Sequence, residues 1–208
     1  MAERVKQELL RQIMSGELPP GARLVELRIA EGLNTSQGPV REALRELEAM
    51  ELVRTEPYKG SHVREVTRKD IREAYMVRAY LEELAGQLAA KSLKGKVDAL
   101  KKEADAIQKA AAQSNIERYA RHDHAFHRMI VVAAQNRILL RSWDSLAFEA
   151  LIQIRLMKGK LNLSQAQQAH WTIIEALNEG QGAIAGRLLR KHIFDRPEVA
   201  PDEQRAST

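Results

Sequence analysis

The chain has 208 residues, no cysteine, 44% hydrophobic and only 4% aromatic residues, and a net charge of +5. Disulfides and thiolate metal sites are therefore excluded, and no apolar run approaches the ~18 residues of a membrane span or forms an N-terminal signal region. The expectation is a soluble, cytoplasmic, mainly helical protein with no membrane partner. The positive charge is unevenly placed: residues 1–66 hold 10 Lys+Arg and 11 Asp+Glu, a net of −1, whereas residues 67–208 hold 23 and 17, a net of +6. Any nucleic-acid contact by the first segment must rest on the placement of particular arginines rather than on bulk charge.

Residues 2–15 form an amphipathic helix with Val5, Leu9 and Ile13 on one face, stopped by Gly16. Pro19-Pro20-Gly21 makes a rigid loop, Glu26–Leu33 a short second helix, and Asn34-Thr35 a turn. The third helix begins at Ser36, a good N-cap residue, with Pro39 in its first turn, and runs to about Met50. Val40, Leu44 and Leu47 mark its buried stripe. Arg41 and Arg45, four apart, reach outward together from another face. Leu52–Glu56 and Ser61–Val66 read as two strands joined by Pro57-Tyr58-Lys59-Gly60. Three helices and a hairpin make a winged helix-turn-helix, an arrangement that lays its last helix into a DNA major groove.

Thr67-Arg-Lys-Asp70 opens a long helix that continues to about Leu93, and the chain beyond is helical almost throughout. Breaks at Lys94-Gly95-Lys96, Ser114-Asn115, Gln135-Asn136, Gly159 and Gly180-Gln181-Gly182 divide it into about six helices. One of these spans Ile138 to about Lys158, another starts at Ser164, and the last ends at Phe194. The fold class is thus mainly α, with a winged domain over 1–66, an all-helical bundle over 67–196, and a polar tail over 197–208 that lacks the composition for packing.

The histidines carry the chemistry of the bundle. Asp123 and His127 are i, i+4 and share a helix face. His170 lies ten residues before Gly180 and His192 ten after Gly182, so in an antiparallel helix pair both stand about 15 Å from the turn and level with each other. One aspartate and three histidines converging in a bundle core suit Zn, Ni, Mn or Fe, zinc first among them. A lone helical histidine is more often a surface or satisfied core residue, and His122 and His124, pointing away from the Asp123/His127 face, read as solvent-facing. Arg78 and Glu82 form another i, i+4 pair. It is either a surface ion pair of little worth or an arginine turned inward to clamp a carboxylate beside the metal.

The segments Gly16-Glu-Leu-Pro-Pro-Gly-Ala-Arg-Leu, Pro39-Val-Arg-Glu-Ala-Leu-Arg-Glu-Leu-Glu and Leu52-Val…Gly60-Ser-His-Val agree in order and spacing with the N-terminal pattern of the GntR family of bacterial transcription regulators, which this chain resembles over about residues 3–66. The remainder, to about residue 195, resembles the FadR-type effector domain called FCD, in its shorter VanR-like branch. Arg78-Ala-Tyr-Leu-Glu82, Asp123-His-Ala-Phe-His127, His170 and His192 match that domain's motifs. Two departures stand out. The family's usual Ser-Arg-Thr-Pro is Ser36-Gln37-Gly38-Pro39 here, and Ala169 precedes His170 where an acid is common.

The resemblance implies a homodimeric, ligand-responsive repressor and not an enzyme. Arg41 and Arg45 would contact a pseudo-palindromic operator, with Ser36, Gln37 and Gly38 at the helix tip and Lys59, Gly60 and His62 on the wing. Asp123, His127, His170 and His192 would hold the metal, and Arg78 would steady a small organic carboxylate effector. A hydrolase-like metalloenzyme and a pure metal sensor are the rival readings.

Overall fold

The computed structural model describes residues 1–146 and 167–195. The chain separates between Thr67 and Arg68 into two units, each with its own core. In the first unit, α1 (Ala2–Ser15) ends where Gly16 takes φ 81, a left-handed turn that glycine adopts without strain. Helices α2 (Glu26–Gly32) and α3 (Gln37–Ala49) follow, the latter burying Val40, Ala43, Leu44 and Leu47 against Val5 and Leu9 of α1. Lys6 of α1 is bridged to Glu46 of α3 at 2.6 Å, fixing the crossing on its partly exposed side.

The wing has one strand more than the sequence suggests. Strands β1 (Arg23–Leu24), β2 (Val53–Glu56) and β3 (Gly60–Val63) form an antiparallel sheet in the order β1-β3-β2. Two residues are too short for any alternation to show, so β1 is defined by its partner: Arg23 pairs with His62 and Leu24 with Ser61. The inner face carries Leu24, Val53 and Val63 into the core. The Thr55 N–H reaches Glu48 Oε1 of α3 at 2.8 Å and ties sheet to helix.

In the second unit, α4 (Arg68–Leu93) is the long spine, about 39 Å at 1.5 Å per residue. Around it run α5 (Asp98–Ala112), α6 (Ile116–Ala133), α7 (Arg137–Asp144), α8 (Gln167–Asn178) and α9 (Gly182–Phe194). Asn115 and Asn136 cap α6 and α7 with their side-chain oxygens, accepting from Arg118 N–H and from Ile138 and Leu139 N–H. The expected helix from Ile138 to Lys158 is shorter within the described part: α7 ends at Asp144, with Ser145 at its cap. The remainder of that helix, the start at Ser164 and the tail after 196 lie outside the described residues. Tyr75, Ala79, Ile107, Tyr119, Phe126, Trp143, Ile173, Leu177 and Leu189 form the core.

Spine and last helix touch backbone to backbone. A Cβ on Gly186 would sit 2.5 Å from the Glu83 carbonyl oxygen, and one on Gly182 2.6 Å from that of Gln87. One on Gly86 would meet Leu189 Cδ1 at 2.7 Å and Gly186 N at 2.9 Å. A neighbouring face of α4 leaves Met76, Val77, Tyr80, Leu84 and Leu88 half-exposed, with Ile184 of α9, and Tyr80 meets Phe194 of α9 edge to face. Gly186→Ala is expected to cost about 1–3 kcal/mol by forcing the helices apart. In a thermal unfolding experiment the midpoint then falls by several degrees; an unchanged midpoint would contradict the close approach.

Candidate metal centre and DNA-reading surface

The metal centre is built on the inward faces of four helices. On α4, the stripe Ile71, Tyr75, Arg78, Glu82, Ala85, Ala89 is buried, which carries a guanidinium and a carboxylate into the core among apolar side chains. Helix α6 buries Asp123 and His127 with Tyr119, Phe126 and Ile130. Helices α8 and α9, joined by the Gly180–Gly182 turn, bring His170 and His192 to one level. One ligand atom from each of Asp123, His127, His170 and His192 can be chosen so that all lie within 4.8 Å of one another. The His170 and His192 ring centroids are 4.5 Å apart, and the His127 ring stacks on that of His192 at 5.4 Å. All four residues are at least 94% buried.

Such a cluster needs its charges matched. Arg78 Nε donates to Glu82 Oε1 at 2.7 Å, and Arg78 Nη2 lies 3.7 Å from Asp123 Oδ2. Trp143 Nε1 donates to the same Glu82 oxygen at 3.0 Å, and His127 Nδ1 bonds to Oε2. Burial pushes the Glu82 carboxyl upward, but Arg78 and His127 outweigh it and hold its pKa at about 2. Burial likewise works against the Arg78 charge, and Glu82, Tyr75 and Asp123 more than restore it. An ionised Glu82 accepts only, so His127 Nδ1 is the donor and Nε2 is the nitrogen left to face the cluster. That Nε2 makes no hydrogen bond among the described residues and lies 3.9 Å from Asp123 Oδ2, while His170 Nε2 lies 3.4 Å from Asp123 Oδ1.

A buried ring nitrogen without a hydrogen bond, close to a carboxylate and two further imidazoles, is costly to leave without a partner. Ligands about 2.1 Å from one ion stand at most about 4.2 Å apart, so the cluster needs only a small contraction to fit. The donor set, three nitrogens and a carboxylate, suits a borderline divalent metal, and a carboxylate orienting the ligating histidine is the usual outer support.

The sequence pointed to all four presumptive ligands and left Arg78, which the structure buries, open between the surface and the interior. It did not reveal that Glu82 is the hub, joining α4 to α6 and α7 at once, nor that Trp143 is one of its donors. An i, i+4 partner of Arg78 was visible; its long-range contacts were not. His122 and His124 are not the solvent-facing pair expected. His122 Nδ1 pairs with Glu103 at 2.8 Å. His124 packs on Trp143 with ring centroids 4.9 Å apart, and burial with nearby Arg78 holds its pKa down at about 4, so it is neutral at neutral pH.

In the first unit, Arg41 and Arg45 are exposed on one face of α3. Arg41 Nε pairs with Glu26 Oε2 of α2 at 3.0 Å, not with a glutamate of its own helix. Glu46 is held by Lys6, and Glu48 by the Thr55 N–H. Ser36 stands at the N-cap position of α3 but its side chain makes no capping bond, contrary to expectation. Its exposed hydroxyl therefore remains outward beside the open first-turn N–H groups. A Cβ on Gly38 would meet nothing within 4 Å, so no internal contact demands glycine there. Lys59 is exposed at the wing turn and bridged to Glu56 at 2.8 Å, Gly60 takes φ 81, and His62 is half-buried on β3.

A winged helix-turn-helix unit joined to a helical unit with a buried Asp/His cluster defines a two-domain type of DNA-binding transcription regulator. Residues 1–63 match the model of the bacterial regulatory proteins, gntR family, and residues 73–195 that of the FCD domain; the chain belongs to the GntR family as an FCD-type transcriptional regulator. It is 34% identical over 193 residues to the "Probable D-xylose utilization operon transcriptional repressor" of Paenarthrobacter nicotinovorans, covering 93% of this chain and 85% of that protein. It is 27% identical to the gluconate operon transcriptional repressor of Bacillus subtilis, covering 96% and 84%. Among solved structures, E. coli McbR/YncC superposes with a TM-score of 0.75 at 23% identity, covering 92% of each chain, and so shares the fold.

If Glu82 orients His127, Glu82→Gln keeps the volume but weakens the hold on Arg78 and on the imidazole. Divalent metal affinity, measured by competition titration with the purified protein, is expected to fall about 10- to 100-fold. An unchanged affinity would remove Glu82 from the support of the site.

Proposed function

We propose that this regulator is a homodimeric repressor whose helical unit binds a divalent metal and, beside it, a small carboxylate. The observation that carries the reading is the buried group Asp123, His127, His170 and His192, which can offer one ligand atom each within 4.8 Å of one another. When bound, the metal supplies a Lewis-acidic centre able to hold an anionic oxygen. Arg78, already in contact with Asp123, keeps positive charge beside that centre, and Glu82 fixes both Arg78 and the imidazole of His127. A carboxylate is the ligand class best matched to a metal flanked by a guanidinium. The gluconate operon repressor among the relatives supports a sugar-derived acid. Zinc is the preferred ion for this donor set, with Ni, Mn and Fe as alternatives.

An enzymatic reading has less support. Hydrolysis needs a carboxylate able to take a proton beside the metal. Glu82 is the acid beside the cluster, and its oxygens are engaged by Arg78, Trp143 and His127. A pure metal sensor needs no charged arginine at the site, and Arg78 argues for an organic anion in addition.

Operator contact is assigned to Arg41 and Arg45, with Ser36, Gln37 and Gly38 at the tip of α3 and Lys59, Gly60 and His62 on the wing. The tip offers N–H groups and the helix dipole to phosphate, and Gln37 can read adenine through two hydrogen bonds. The half-exposed apolar stripe Met76, Tyr80, Leu84 and Leu88 supports pairing with a second copy, as a two-fold operator demands. Such a regulator works in the cytoplasm, where operators are. Effector and DNA are coupled reciprocally: the effector shifts operator affinity only as far as DNA shifts effector affinity.

Two outcomes test this. Asp123→Ala should abolish stoichiometric zinc or nickel binding, followed by calorimetry; equal binding by wild type and variant would dismiss the cluster as the metal site. Arg41→Ala with Arg45→Ala should erase the preference for a fragment selected from the organism's own genome over random duplex, at about 1–3 kcal/mol per lost base contact. Retained preference would move the readout elsewhere.

A further inference from the structure

The outward face of the wing sheet carries a row of bases with no role yet. In an antiparallel sheet, paired residues lie on the same face. The register places Arg23 opposite His62 and His62 opposite Arg54, one from each of the three strands. Neighbouring strands are about 4.8 Å apart, so the row spans about 10 Å. Its face is the one turned away from Leu24, Val53 and Val63, and both arginines are exposed.

The register places one acid on this face, Glu56 opposite Gly60. Glu56 pairs with Lys59 at 2.8 Å and reaches Arg54 only at 3.5 Å. Arg23 makes no ion pair among the described residues, and its guanidinium lies over Gly60, within about 4 Å of where a Cβ would stand there. A unit whose charges sum to −1 thus sets two exposed arginines, Arg23 and Arg54, on one face of one sheet.

We propose that this face, and not the wing turn alone, is a phosphate-binding surface for duplex DNA, with Arg23 and Arg54 as its ligands on either side of His62. The inference rests on the DNA-binding reading of the winged unit. At 3.4 Å of rise per phosphate along one strand, a row of about 10 Å covers two to three phosphates. Phosphate contacts position a protein on the duplex without reading its sequence. Arg23 and Arg54 thereby set general affinity, while the α3 arginines set preference.

The test uses the full chain and a mixed-sequence duplex of about 30 base pairs, with affinity measured across a salt series. Each lost phosphate contact removes about 0.9 from the slope of log affinity against log salt. For R23A/R54A the slope should fall by about 1–2, with weaker binding to mixed-sequence and genome-selected fragments alike. R23K/R54K, which keeps both charges, should retain the slope. An unchanged slope in R23A/R54A, with an unchanged melting temperature, overturns the surface and leaves the regulatory reading standing. Absence of any DNA binding by the wild type overturns both.

Discussion

A buried carboxylate on α4 organises the helical unit. Glu82 is 1% exposed and takes bonds from Arg78 on its own helix, from His127 on α6 and from Trp143 on α7. A lone carboxylate in such surroundings would be expelled or protonated. Its ionisation is sustained by the arginine, and the arginine's by it and by Asp123. The cost of breaking a pair like this one by removing a single partner is about 3–5 kcal/mol, because the remaining charge is left buried and uncompensated. Packing across the bundle and the orientation of the metal-facing histidine therefore share one origin.

The two units divide the work by chemistry. The helical unit buries its functional groups and matches them pair by pair. The winged unit keeps Arg41, Arg45, Arg23 and Arg54 exposed, where they are available to a polyanion. The links that fix its helices, Lys6–Glu46 and the Thr55–Glu48 bond, lie away from the exposed arginines of α3. They occupy Glu46 and Glu48, while Arg41 is paired with Glu26 of α2.

Much of this was legible in the residues, for definable reasons. Helical period placed Val40, Leu44 and Leu47 in the core, and counting from the Gly180–Gly182 turn levelled His170 with His192. Both are local rules. What escaped was non-local. Arg78 and Glu82 are visible as neighbours on a helix, but nothing in their spacing shows that the face turns inward or that a tryptophan 61 positions later completes the network. Strand β1 escaped because two residues carry no period, and the end of α7 because Ser145 is a poor stop signal in sequence. The serine at the start of α3 was read by its preference for capping, and the structure leaves that hydroxyl outside.

The helical pair α8–α9 supplies two of the four presumptive ligands, and α6 supplies the other two. An ion held there is a cross-link between segments that the chain joins only through residues 128–169. It shortens the loop that the unfolded chain must otherwise close, so occupancy and folding free energy become one quantity. Any anion that tightens or loosens the ion's hold thus also adjusts how long the whole helical unit survives unfolding and proteolysis. On the proposed reading, one small molecule would thus set the protein's abundance as well as its grip on DNA.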